Sequence, residues 1–362
     1  MSNAVITGWG KCLPPAVLTN HDLEQIIDTS DDWITTRTGI KERRISHMEV
    51  SDLGEVASRH ALAAAGKSPE DVDLIILGTC TADSVIPSAS ALLQAKLGAI
   101  NASAFDLNAA CSGFIYSLVV GASMIKSGTH RAVLVVGAEK LHHHIDFNDR
   151  ATCVLFGDGA GAVLLEPGAD PDVGLLSSEL GMDGSVHDIL AIARDGTHGD
   201  REEIPAEQCA IRMDGPEVFR RAVVTMGEAS ARVVGAAGLD LEQIDLLIPH
   251  QANIRIIDAT ARRLGLDSAK VFVNIGSYGN TSAATIPVAL TEALEQGQIR
   301  PGANLVFAAF GAGLSWAAAV VRWGDRVTPV GVSDAELPPN GRSTMELLEP
   351  NFVFFGRPEP SK

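Results

Sequence analysis

Cys111 lies in the run FDLNAACSGFIYSLVVGASMIKSG, where a turn of small residues delivers a lone thiol to the start of an apolar helix. Unpaired backbone N–H groups and the positive end of the helix dipole favour thiolate over thiol at such a place. Cys111 is therefore a candidate nucleophile, with a buried core cysteine as the other reading of the same run. Two further groups able to donate hydrogen bonds stand beyond apolar segments later in the chain. His250 follows the strand-like IDLLIP in PHQANIRI, and Asn280 lies in GSYGNTSAA just before the helical TSAATIPVALTEAL. Each taken alone also fits a structural role, the histidine after a strand and the asparagine in a glycine-rich turn.

The elements that must hold these groups are related by an internal repeat. AAGKSPEDVDLIILGTC, residues 64–80, lines up with AAGLDLEQIDLLIPHQ, residues 236–251: a helix ending at Gly66 or Gly238, an acidic turn, then an apolar strand. FDLNAACSGF with its helix and the strand RAVLVVGAE is echoed by VNIGSYGNTS with its helix and the strand ANLVFAAFGAG. Apolar strands alternating with amphipathic helices give an α/β chain of two related halves, about 1–170 and 171–323, followed by an extension, 324–362. Ligands of α/β folds gather where strand ends meet, and Cys111 sits at such an end.

With 362 residues, 46% hydrophobic, and 35 glycines, the chain suits a large protein with a well-buried core. Cysteines 12, 80, 111, 153 and 209 form no CxxC pair, which suggests reduced thiols and neither a disulfide framework nor a zinc site. The N-terminus runs into NAVITGWG with no signal-like region, and no apolar run approaches the length of a membrane span, so a cytoplasmic protein is expected. A net charge of −17 argues against nucleic acid as a partner and requires a local basic patch for any anionic ligand.

NAACSGF, PHQANIRI, GNTSAA and FGAGLSW, in this order, resemble the motif set of the ketoacyl synthase III family, the initiating condensing enzymes of dissociated fatty acid synthesis. The likeness runs from Val5 to Trp323 and includes WITTRTGIKERRI and DRATCVLFGDGAGAVLLEP. It implies the thiolase fold, two duplicated halves in an αβαβα five-layer arrangement, paired as homodimers, with acyl-CoA as substrate and no separate cofactor. It also implies roles. Cys111 would take an acyl group from acyl-CoA, and His250 and Asn280 would stabilise the enolate formed as malonyl-acyl carrier protein loses carbon dioxide. The backbone N–H groups of Cys111 and Ala312, in the loop Gly311–Gly313, would form the oxyanion hole; relatives often carry three glycines there, so Ala312 is a departure. Phe310 would shape the acyl pocket, together with Ile86, which stands where acetyl-preferring relatives have a bulky aromatic and so leaves room for branched or medium-length primers. An amide at the third catalytic position separates this pattern from the Cys, His, His set of elongating synthases, and no cysteine follows Cys209 to serve as a thiolase's second. An acyltransferase of secondary metabolism, forming no carbon–carbon bond, is the alternative on the same scaffold.

Trp33, Arg37 and Arg150 match positions that flank the CoA adenine, an aromatic face with guanidinium groups suiting a nucleotide, and Asn253 matches the pantetheine tunnel. Arg255, Arg262 and Arg263 share a face of the helix after His250, and with Arg220 and Arg221 they form the docking patch expected for an acidic carrier protein. GDGAG, residues 157–161, precedes a strand instead of joining strand to helix and reads as a turn, with no nicotinamide site. No metal is expected at His142, His143 and His144, which read as a surface loop, and the acidic stretch from Asp195 to Glu207 also reads as a loop. The extension lacks a clean helical or strand period, and Phe352, Phe354 and Phe355 are expected to dock part of it on the body.

Overall fold

The computed structural model describes residues 3–192 and 205–358. Most of the acidic stretch from Asp195 to Glu207 thus lies outside the described residues; Ala206–Gln208 is a short 3-10 turn.

Two sheets organise the molecule. The first contains β1 (Ala4–Cys12), β2 (Leu74–Gly78), β3 (Ser103–Leu107), β4 (Val133–Glu139) and β5 (Gly159–Pro167), in the order β1-β5-β4-β2-β3. The second contains β6 (Gly174–Met182), β7 (Leu246–Pro249), β8 (Asn304–Gly311) and β9 (Ser315–Arg322), in the order β6-β9-β8-β7. The two share one plan: β2 and β4 are parallel neighbours, as are β7 and β8, and β5 and β9 run antiparallel beside them. The counterpart of β3 has shrunk to a bridge between Leu247 and Val271. β2 and β4 are buried along their whole length, which is why LIILG and VLVVGAE read as continuous apolar runs without alternation.

Five layers follow from what each helix buries. α2 (Val50–Ala65) and α3 (Ala89–Leu97) cover the outer face of the first sheet through Leu53, Ala57, Leu93 and their neighbours. α5 (Gly215–Ala236) and α6 (Ile254–Arg263) cover the outer face of the second sheet. Between the sheets lie α4 (Gly113–Ser127) and α7 (Thr285–Glu295), whose Phe114, Leu118, Ile286 and Leu290 share one core with β-strand residues of both sheets. All of α7 from Thr285 to Leu294 is buried, as a helix in a central layer must be. The same burial explains α4. Among the described residues Ala110–Ser127 is long and apolar enough to cross a membrane, against the reading that no run approaches that length, but it is packed between two sheets.

Three other local readings change. Gly159–Gly161 is the first part of β5, not a turn, and Gly161 faces Pro287 so closely that a Cβ would lie 2.8 Å from it. The histidine run is a 3-10 turn, Leu141–His144, in which His142 and His144 are buried and His142 pairs with the buried Asp158 carboxyl. The extension ends in a helix, α8 (Thr344–Phe355), opened by a reciprocal Ser343–Glu346 cap that the sequence pattern S-x-x-E encodes. Phe352 is buried there, whereas Phe354 is 55% exposed and does not dock.

Candidate active site

Cys111 stands on a 3-10 turn, Ala110–Ser112, leading into α4, and the second half repeats this device at Ser282–Ala284 leading into α7. In the first turn the Asn108 side chain accepts a hydrogen bond from Ala110 N (3.1 Å) and Ala110 is held at φ 46°. In the second, Asn280 Oδ1 accepts from Ser282 N (2.8 Å) and Ser282 is held at φ 48°. Two non-glycine residues in the left-handed region, at matching places, mark backbone whose shape is imposed by its surroundings. The match makes Ala283 the counterpart of Cys111 and Asn108 the counterpart of Asn280. Gly137 lets the second turn in, since a Cβ there would meet Ala283 O at 2.3 Å.

Locking Asn280 Oδ1 leaves its amino group as the donor available to a ligand. His250, after β7, places Nδ1 2.7 Å from Thr285 Oγ1, and the Thr285 hydroxyl lies 2.9 Å from the Ser282 carbonyl oxygen. That carbonyl can only accept, so the hydroxyl donates to it and accepts from His250 Nδ1–H, leaving Nε2 as a lone-pair acceptor. Burial alone lowers the His250 pKa to about 3, so the ring is neutral.

Cys111, His250 and Asn280 line a single cavity of about 890 Å³, together with Phe310, Asn253, Trp33, Arg37 and Arg255. Asn253 also caps α6, accepting from Arg255 N at 2.9 Å. Gly311 presses on the nucleophile: a Cβ there would lie 2.7 Å from Cys111 N and 3.0 Å from its Cβ. The loop Gly311–Gly313, which carries Ala312, thus abuts Cys111 through Gly311.

The thiol itself departs from the thiolate reading. Burial pushes the Cys111 pKa up to about 12, hydrogen bonding with the Ser282 side chain opposes this, and the nearby Glu139 charge adds to the rise. Desolvation outweighs the helix terminus because Cys111 sits deep in the cavity. Glu139 escaped the sequence reading, although it ends the apolar run VLVVGAE. Its buried carboxylate accepts from Thr79 Oγ1 (3.1 Å), Thr81 Oγ1 (2.5 Å), Cys80 N (3.1 Å) and Ser282 Oγ (3.0 Å). It thereby ties the ends of β2 and β4 to the turn that carries Asn280. Thr285 and Ser282 were missed as well; only their place within GNTSAAT could have drawn notice.

Other expected residues are less gathered. Arg150 does not line the cavity; its guanidinium stacks on Trp33 at 4.8 Å, beside that of Arg37 at 4.7 Å, and donates to Asp28 O at 2.8 Å. Arg220 and Arg221 both bind Glu217, holding its carboxyl down to about 2, and Arg263 pairs with Glu228 at 2.8 Å. Arg255 and Arg262 are exposed and, among the described residues, have no acidic partner at ion-pair distance. Ile86 is 87% exposed and stands outside its own chain's cavity. Cys12, Cys80, Cys111 and Cys153 are free thiols.

Five layers with a cysteine on the turn ahead of a buried central helix define a thiolase-fold condensing enzyme. Known proteins agree. Residues 105–184 match the model of 3-oxoacyl-[acyl-carrier-protein] synthase III and residues 234–323 match that of its C-terminal part. Beta-ketoacyl-[acyl-carrier-protein] synthase III 2 of Vibrio cholerae is 52% identical over 345 residues, 95% of each chain. The solved 3-oxoacyl-[acyl-carrier-protein] synthase III of Aquifex aeolicus is 48% identical with a TM-score of 0.83, all of it lying on 88% of this chain. A priming beta-ketosynthase of the R1128 polyketide pathway is 36% identical with a TM-score of 0.84, over 90% of this chain and 97% of its own. The chain belongs to the 3-oxoacyl-[acyl-carrier-protein] synthase III family.

Proposed function

We propose that this enzyme joins an acyl-CoA primer to malonyl-acyl carrier protein by decarboxylating condensation, with Cys111 carrying the acyl group between two half-reactions. The observation that carries this is the convergence of Cys111, His250 and Asn280 on one cavity that extends to Trp33 and Arg37. In the first half-reaction the Cys111 thiol gives its proton to His250 Nε2, the sulfur bonds to the acyl carbon, and the departing CoA thiolate takes that proton. Neutral Nε2 suits this, because a proton need be held only while an anion is beside it.

In the second half-reaction the malonyl C–C bond breaks, carbon dioxide leaves, and the enolate oxygen is held by donors from Asn280 Nδ2 and His250 Nε2. Donation from Nε2 requires the other tautomer, which Thr285 can serve by turning its hydroxyl to donate to Nδ1. The carbanion attacks the acyl carbon, the Cys111–acyl bond breaks, and the thiolate recovers a proton from solvent. N–H groups at Cys111 and in the Gly311–Gly313 loop would hold the acyl oxygen. Transfer to a hydroxyl would need no enolate donors, so the pairing of His250 with Asn280 favours condensation over the acyltransferase alternative.

Trp33, Arg37 and Arg150 would take the nucleotide, with Asn253 along the pantetheine arm. Arg255, Arg262 and Arg263, with Arg220 and Arg221, would offer the carrier protein a positive face. Exposed Ile86 would meet the acyl pocket of a partner subunit in a homodimer. Incubation with a panel of acyl-CoAs and malonyl-acyl carrier protein, followed by mass spectrometry, tests the reading: acyl-Cys111 and a ketoacyl product support it. Acylation without carbon dioxide release overturns it.

A further inference from the structure

The extension after Trp323 is the part of the chain that the chemistry above does not use. Its path is closely tied. Val330 N and Gly331 N donate to Ala64 O and Ala63 O, each at 3.0 Å, across the end of α2. Ala335 and Leu337 pack on the outer core of the first sheet, and the Pro338 carbonyl lies 2.8 Å from His47 Nε2. α8 then crosses to the other side of the cavity wall. Thr344 Oγ1 donates to Val17 O at 2.8 Å, and Leu347, Leu348 and Phe352 enter a core shared with Ile34, Phe147 and Val154.

Besides Ala16–Thr19 and Ala206–Gln208, α8 packs on residues 141–148. Buried Asn351 donates through Nδ2 to both His142 O (2.6 Å) and Ile145 O (2.9 Å). Phe352 meets Phe147 edge-on with centroids 5.4 Å apart. Asn148 returns the contact, donating to Gly356 O at 3.0 Å. Two residues further on is Arg150, stacked on Trp33, which α1 (Asp31–Thr38) carries at the cavity mouth. Ile34, the next residue of α1, is in the same core as Leu348 and Phe352. One wall of the mouth, leading to Arg150, therefore rests on α8, and the other, α1, shares a core with it.

We propose that α8 is a positioning element for the nucleotide end of the acyl-CoA site, holding Arg150 and Trp33 in register so that the enzyme favours CoA thioesters over shorter acyl thioesters. Asn351 is its main positioning residue, since its Nδ2 bridges two carbonyls, His142 O, which also accepts from Ile145 N, and Ile145 O. The inference rests on the reading of Trp33, Arg37 and Arg150 as nucleotide ligands. It also fits the relatives: the match to the Vibrio cholerae protein runs over 345 residues, more than precede the extension, while the Aquifex aeolicus protein lies on 88% of the chain.

The test uses the full chain and compares acyl-CoA with acyl-pantetheine, which lacks the nucleotide. Asn351→Ala is expected to raise KM for acyl-CoA about fivefold to tenfold, with kcat and the KM for acyl-pantetheine within about twofold. Equal changes for both substrates, or none, overturn the proposal. Arg150→Ala separates the two readings: if it raises KM for acyl-CoA while Asn351→Ala does not, only the positioning role of α8 fails. If Arg150→Ala leaves KM unchanged, the nucleotide reading fails first. Hydrogen exchange on the wild type needs no variant to fold. CoA should slow exchange in both 141–150 and 344–355, and protection confined to 141–150 overturns the coupling.

Discussion

His250 Nδ1 lies 2.7 Å from Thr285 Oγ1, and the same hydroxyl is 2.9 Å from the Ser282 carbonyl oxygen. The second contact fixes the sense of the first, because a hydroxyl has one proton and a carbonyl has none. Thr285→Val keeps the shape and removes both bonds. Acylation of Cys111 and decarboxylation should each slow about tenfold, with Thr285→Ser within about twofold of wild type. Rapid-quench measurement of both half-reactions checks this; a valine variant with wild-type rates would refute the tautomer assignment.

Burial holds Cys111 as a thiol, with a pKa near 12 against an ordinary 9.0. Alkylation by iodoacetamide in the free enzyme should therefore keep accelerating from pH 7 to beyond pH 9. A plateau below pH 8 would contradict it. Linkage has the matching sign. Between pH 9.0 and 12 the folded state binds more protons than the unfolded one, so this contribution to stability is present below pH 9.0 and is lost as pH rises.

His250 has the opposite sense, its pKa lowered from 6.5 to about 3. The unfolded state binds the extra proton between those values, so stability from neutral His250 is present above pH 6.5 and is lost as pH falls towards 3. Urea unfolding of wild type should lose more stability from pH 6.5 to pH 4.5 than His250→Gln, approaching about 1.4 kcal/mol for each pH unit. Parallel pH profiles would show that burial does not keep the ring neutral.

Gly311 has no room for a side chain, because the obstructing atoms are the backbone N and Cβ of Cys111 at 2.7 and 3.0 Å. Gly311→Ala must push the nucleophile and the loop apart. A loss of order hundredfold in Cys111 acylation is expected, as for removal of an oxyanion donor, with far-UV circular dichroism unchanged.

Arg255 lines the cavity as well as the exposed face of α6, so its reversal would disturb both substrates. Arg262→Glu is the cleaner test of docking. It should raise KM for malonyl-acyl carrier protein about tenfold at low salt and leave acyl-CoA loading intact. Carrier-protein kinetics that do not change would remove the docking face.

Much of the site was legible because short-range chemistry writes itself into short motifs. NAACSGF, PHQANIRI and GNTSAA each encode a strand end, a turn and a helix start, and the 64–80 and 236–251 pair exposes the repeat before any coordinates. Ser343 and Glu346 could have announced α8, but Pro350 and the absence of an amphipathic stripe hid it. The buried histidine turn was illegible for another reason: polar residues look like surface until a partner such as Asp158 arrives from elsewhere in the chain.

By itself the sequence determined which groups could react and which local elements present them, since those depend on residue type and near-neighbour spacing. Tertiary structure alone decided the rest. Cys111 is a protonated thiol because long-range packing removes it from water, and Glu139 is held at the site because two distant segments, 79–81 and the turn at Ser282, aim their donors at it. Desolvation and hydrogen bonding across long sequence separations are properties of the assembled fold, and no local pattern carries them.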